Sequence, residues 1–181
     1  MKKIIYLDID DTLADTSHKV IKDFNVSSFS FHNKLFLIKH LYSIIKVWNK
    51  IKDNHTFWED LPLKSDAILI YEISQKITDE IHILTALPPL FYPKNKTHFH
   101  LASQAKKNWV NKHFPNIPKE NIHVCYAKEK HLVIKGNASN YILVDDSRKN
   151  IKNWENAGGT GILVEPDNQK HLFNLNKILK N

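Results

Sequence analysis

Five short apolar runs, separated by amphipathic stretches, limit the fold more than any other feature of this chain. Lys3–Ile9 (KIIYLDI), Glu80–Thr85 (EIHILT), Asn121–Tyr126 (NIHVCY), Tyr141–Val144 (YILV) and Thr160–Val164 (TGILV) have the length and β-branched content of buried strands. Between them, apolar residues recur at helical spacing over roughly Ser65–Lys76, His98–His113, Ser147–Ala157 and Asn168–Leu179. Strands alternating with helices predict an α/β fold, a central parallel sheet between layers of helices. One segment breaks the rhythm. From Asp15 to about Asn54 no strand signal occurs, and Lys34–Ile51 places Leu35, Leu37, Ile38, Leu41, Ile44, Ile45 and Trp48 at helical spacing. A small helical cap inserted after the first strand is therefore expected over residues 15–57, with residues 1–14 and 58–181 forming the core domain.

Composition narrows the function. The 181 residues suit one domain, and 42% hydrophobic content can supply its core. No apolar stretch is long enough to span a bilayer, and the run after the two N-terminal lysines is too short for a secretory signal. Cys125 is the single cysteine, which excludes an internal disulfide and a cysteine-based zinc site and makes the cytoplasm the expected compartment. All four glycines lie at or beyond Gly136, so no Walker loop or GxGxxG fingerprint opens the fold. The net charge of +7 comes almost wholly from scattered lysines, Arg148 being the single arginine. That pattern reads as solvated faces more than as a nucleic-acid footprint, where arginine would be expected. Nucleic acid is a less favoured partner than a small molecule, and no membrane partner is expected. A homodimer through aromatic residues of the cap is open. The eleven histidines include no HExxH pair, and Gly158-Gly159-Thr160-Gly161 reads as a helix C-cap and turn.

Chemistry gathers at the strand ends. Asp8 and Asp10 follow the first strand, in Asp8-Ile9-Asp10-Asp11-Thr12. Thr85 ends the second apolar run, Lys130 follows the third, and Asp145-Asp146 end the fourth. The carboxyl edge of such a sheet is where open α/β folds bind ligands. Carboxylates crowded there repel, by about 4 kcal/mol for a pair about 4 Å apart at an effective dielectric of 20. A cation relieves this, and an all-oxygen site with an open side suits Mg²⁺, which also bridges to phosphate oxygens. The lysine and the threonine hydroxyl complement a phosphoryl group, and a second carboxylate two residues from a nucleophilic one can act as general acid and base. Together these residues read as metal-assisted phosphoryl transfer through an aspartyl-phosphate.

The same segments (IIYLDIDDT, ILTA, Lys130 and ILVDD) resemble the four motifs of the haloacid dehalogenase-like (HAD) phosphohydrolase superfamily. The resemblance implies a Rossmann-like core with the cap after its first strand. Asp11 stands where glycine is commonest. Within the superfamily the chain is most similar to the 5′(3′)-deoxyribonucleotidases. The resemblance rests on LADT after the first motif, Phe57-Trp58-Glu59-Asp60-Leu61-Pro62, ILTALP, Lys107-Asn108-Trp109-Val110 and Lys128-Glu129-Lys130. It implies Asp8 as nucleophile and metal ligand, and Asp10 as acid and base with its carbonyl on Mg²⁺. It implies Asp146 as the direct metal ligand, with Asp145 behind a water or in the outer shell. Thr12, Thr85, Ala86 and Lys130 would hold phosphate. Thr16 replaces an aromatic that stacks on the base in those enzymes, so Trp48, Phe57, Trp58 and Phe24 become the candidates for that ring. The implied substrate is a phosphate monoester, a deoxyribonucleoside 5′ or 3′ monophosphate. The alternatives are a 3′-phosphatase on nucleic-acid ends, a small-metabolite phosphatase, and a binding module with a vestigial site. The completeness of the site speaks against the last.

Overall fold

The computed structural model describes residues 2–26, 41–51, 54–87, 96–166 and 168–180. Its strands are β1 (Ile4–Leu7), β2 (Ile81–Ala86), β3 (Ile122–Cys125), β4 (Tyr141–Asp145) and β5 (Thr160–Leu163). They form one sheet in the order β3-β2-β1-β4-β5, with every neighbouring pair parallel. Each apolar run of the sequence thus supplies one strand. The central strand β1 has both faces covered, with Ile5 and Leu7 fully buried on one side and Tyr6 buried on the other. Chain order reverses at β1, so the crevice beyond its carboxyl end, between β2 and β4, is the natural ligand site of this topology.

Among the described residues the helices are α1 (Thr16–Phe24), α2 (Leu41–Ile51), α3 (His55–Glu59), α4 (Ala67–Ile77), α5 (Lys96–His113), α6 (Arg148–Asn156) and α7 (Lys170–Leu179). Short 3₁₀ turns lie at Lys119–Asn121, Ala127–Val133 and Ala138–Asn140. The expected helical stretches match α4 to α7, with ends displaced where capping decides them. Ser147, expected inside a helix, is the N-cap of α6, and its side chain accepts from the Asn150 amide. The Gly158–Gly161 run closes α6 as expected, with Gly158 at φ +89° and its N–H donating to Glu155 O at 2.9 Å.

The segment expected to form the cap carries α1, α2 and α3. Its residues 27–40, 52 and 53 lie outside the described residues, and with them the first part of the helix expected from Lys34. Val47, Ile51 and Phe57 belong to the same buried cluster as Ile5 and Leu7 of β1. The described part of the segment therefore shares the main core. Among the described residues, no helix is long and apolar enough to cross a membrane.

Candidate active site

The site begins where β1 ends. The Asp8 amide still pairs with the sheet, donating to Val144 O at 3.0 Å, and the chain then turns, with Leu13 and Ala14 both donating to Ile9 O. Asp11 takes φ +53°, the left-handed region that favours glycine and that aspartate tolerates better than most residues. Its side chain accepts from the Ser17 amide at 2.8 Å and from the Ser17 hydroxyl, so Asp11 caps α1. Burial and the nearby Asp146 push its carboxyl up to about 6, against the pull of Ser17.

Asp8 is 5% exposed and lies 2.8 Å, through Oδ1, from Lys130 Nζ. Lys130, itself buried, also donates to Asp145 Oδ2 at 2.6 Å. One ammonium therefore joins β1, β4 and the 3₁₀ turn after β3. Burial alone would depress the Lys130 ammonium, but Asp145 and Asp8 outweigh it and hold it above the usual lysine range. Asp8 is pushed up to about 7, first by burial, with Lys130 opposing and Asp145, Asp10 and Asp146 adding their repulsion.

Asp145 is fully buried and saturated by donors. Oδ1 accepts from Ser147 N at 2.8 Å and Asn150 Nδ2 at 3.1 Å; Oδ2 accepts from Lys130 and, at 3.0 Å, from the same Asn150 amide. Asp146 is half-buried at the mouth, and its backbone N–H donates to Thr12 Oγ1 at 3.1 Å. Asp8, Asp145 and Asp146 each offer a carboxylate oxygen within 4.8 Å of the others. These hard oxygen donors, crowded enough to raise Asp8, fit a divalent cation.

Thr85 is fully buried at the end of β2, and Ala86 follows it. Both meet a residue that the sequence reading missed. Lys106 on α5 is 1% exposed and ion-paired to Asp10 Oδ2; it also donates to Thr85 Oγ1 at 3.1 Å and Ala86 O at 2.7 Å. Its Nζ lies 4.9 Å from the centroid of the Trp58 ring. A signal was present. Ala102, Ala105, Trp109 and Val110 make one buried stripe at helical spacing, and Lys106 stands inside it.

The structure brings Asp8, Asp10, Thr85, Lys130, Asp145 and Asp146 to one edge, as expected. It places other residues differently. Thr12 is fully buried, and its hydroxyl ties the first loop to the Asp146 amide. Thr16 is fully buried too, and its Oγ1 donates to Asp10 Oδ1 at 3.1 Å. Phe57 and Trp58, expected as base-stacking rings, are buried at 4% and 1%; they pack edge to face, and Trp58 Nε1 donates to Ile51 O at 3.0 Å. They are core aromatics here, because α3 lies against α5, where Trp109 Nε1 donates to Leu61 O at 2.7 Å. Phe24 is half-buried, 6.3 Å centroid to centroid from Phe57. The side chain of Trp48 lies outside the described residues.

Over residues 2–178 the chain matches the model of a family described as 5′ nucleotidase, deoxy (pyrimidine), cytosolic type C protein. The chain belongs to that family. It is thus an enzyme, a phosphoric monoester hydrolase. No curated protein sequence matches it. Among solved structures it is similar to a HAD-family enzyme from Bacteroides thetaiotaomicron, an aspartate-to-alanine mutant in complex with magnesium and inorganic phosphate. The two are 14% identical, the TM-score is 0.51, and the match covers 96% of this chain and 100% of the other. A haloacid dehalogenase-like protein of unknown function from Agrobacterium tumefaciens is 12% identical at a TM-score of 0.50, with 97% of this chain and 90% of the other covered. At such identities the likeness speaks to the fold, which is that of the HAD core.

Proposed function

We propose that the protein is a Mg²⁺-dependent phosphomonoesterase that hydrolyses nucleoside monophosphates, deoxyribonucleoside 5′ or 3′ monophosphates first among them, through a phosphorylated Asp8. One observation carries the reading: three carboxylates within 4.8 Å of one another stand beside a buried lysine at the switch point of the sheet. The family supports the nucleotide, and the magnesium and phosphate in the Bacteroides enzyme support the cofactor and the phosphate ester.

Asp8, Asp146 and the carbonyl of Asp10 would hold the cation. Asp145, with both oxygens already accepting from Ser147, Asn150 and Lys130, would serve as the anchor behind them. A bound Mg²⁺ neutralises charge between these carboxylates and the phosphoryl oxygens. Lys130 adds a second positive charge to the same group, and Asp145 keeps it aimed at Asp8. Thr85 Oγ1 accepts from Lys106, which leaves its own proton for a phosphate oxygen, and the Ala86 amide is the second donor.

In the first step an Asp8 oxygen bonds to phosphorus while the bond to the leaving oxygen breaks with its electron pair. Asp10 gives that oxygen a proton. Water then attacks phosphorus and passes a proton to Asp10, and phosphate departs with the Asp8 carboxylate restored. Stabilisation of the in-flight phosphoryl group by fixed positive charge supplies most of the acceleration. Residues 15–57 would act as a cap that closes over the substrate, and the single cysteine supports a cytoplasmic setting.

The test is phosphate release, with and without Mg²⁺, from 2′-, 3′- and 5′-nucleoside monophosphates in deoxy and ribo forms. A 3′-phosphorylated oligonucleotide and sugar phosphates complete the panel. Mg²⁺-dependent turnover of deoxynucleotides is expected, with Asp8→Asn lowering kcat/KM by at least about 10³-fold. Turnover confined to the oligonucleotide, with strong salt dependence, would replace the nucleotidase reading with end repair.

A further inference from the structure

We propose that Lys106 is the positioning residue of Asp10, with Thr16 as its counterpart on the other carboxylate oxygen. The assignment rests on the phosphomonoesterase reading above. All three donors of the Lys106 ammonium are used, by Asp10 Oδ2, Thr85 Oγ1 and Ala86 O. On the opposite side of the carboxylate, Thr16 Oγ1 donates to Asp10 Oδ1 at 3.1 Å. The two holding side chains are 1% and 0% exposed, so water does not compete for Asp10 from their side.

Packing alone does not call for this lysine. Its neighbours on the buried stripe of α5 are Ala102, Ala105, Trp109 and Val110, and an apolar side chain in that row would avoid the cost of desolvating a charge. Nor does α5 need Lys106 to stay in place. Trp109 Nε1 donates to Leu61 O at 2.7 Å and Asn108 Nδ2 donates to Glu59 Oε1 at 2.5 Å, and these bonds hold the helix to α3 and the segment just after it. What Lys106 adds is a link between the acid–base carboxylate and the phosphate-binding end of β2. Trp58 lies over that link and is itself tied to Ile51 at the end of α2.

The consequence is selective. With Oδ2 fixed by Lys106, the proton for the leaving group passes through Oδ1, whose partner hydroxyl can donate or accept. Loss of the clamp lets the carboxyl rotate away from the leaving oxygen. Charge stabilisation by Lys130 is untouched. The penalty should therefore fall on esters whose leaving oxygen needs a proton. It should fall more lightly on p-nitrophenyl phosphate, whose phenolate leaves without a proton and which loses only the contact that Lys106 makes with Thr85.

The experiment measures kcat/KM, which reports the steps up to phosphoryl transfer onto Asp8. The substrates are a deoxyribonucleoside 5′-monophosphate and p-nitrophenyl phosphate; the enzymes are wild type, Lys106→Met and Thr16→Val. Lys106→Met is expected to lose about 10²- to 10³-fold on the nucleotide and less than about tenfold on the aryl ester. Thr16→Val, which keeps side-chain size, should show a smaller loss with the same bias. Lys106→Arg should recover part of the nucleotide activity. Unfolding midpoints establish that each variant is folded, and Thr16→Val carries the test if Lys106→Met does not fold. Equal losses on both esters, or no loss, would overturn the assignment while leaving the phosphomonoesterase reading intact. A wild-type enzyme inactive on both esters would overturn that reading, and this assignment with it.

Discussion

Asp8 shows how one residue ties stability to function. Burial and three neighbouring carboxylates push its carboxyl up to about 7, and Asp11 nearby is pushed up to about 6. Both pKa values are raised on folding, so these groups favour the folded state at low pH. That contribution is lost as pH rises through about 6 and then about 7. A cation among the carboxylates offsets the loss. Mg²⁺ is therefore expected to raise the unfolding midpoint more at pH 8 than at pH 5.5, and Asp8→Asn to shrink the effect; scanning calorimetry with and without Mg²⁺ checks this. An equal shift at both pH values would contradict it. At this scale, legibility followed position along the chain. Asp8, Thr85 and Asp145 each terminate an apolar run, so the sequence displays them at strand ends. Lys106 sits mid-helix beside Lys107, where a lysine ordinarily marks a solvated face, and only the apolar company of its stripe betrays it. The burial of Phe57 and Trp58 is hidden in the sequence for the opposite reason. Their burial depends on α5, a helix far away in sequence.

At the scale of elements, close packing sets where helices lie on the sheet. A Cβ added at Gly161 on β5 would stand 2.6 Å from Ile151 Cγ2 of α6. Gly161→Ala is thus expected to cost about 1–3 kcal/mol, read as a lower denaturant midpoint with an unchanged m-value. A loss under about 0.5 kcal/mol would mean that α6 is free to move away from β5. The strands and the four helices from Ala67 onward were readable because each has one apolar pattern of one period. Helix ends were less so. Whether Ser147 opens α6 from inside or outside depends on its side chain capping the Asn150 amide, a bond that no periodicity shows.

For the whole molecule, the site is a consequence of topology. Placing β1 between β2 and β4 brings residues from 8 to 146 to a single edge, and two buried lysines span it, Lys130 across β1 and β4 and Lys106 from α5 to β1 and β2. The parallel order followed from the alternation of strands and helices. The division of labour between the two lysines did not, since it needs distances. The most direct measurement is the intact mass of the protein after acid quench during turnover of a deoxyribonucleoside monophosphate with Mg²⁺. A fraction of the enzyme heavier by one phosphoryl group is expected, with the label on Asp8 by peptide mapping and absent from Asp8→Asn. Turnover with no phosphorylated enzyme, or an active Asp8→Asn, would contradict nucleophilic catalysis by Asp8.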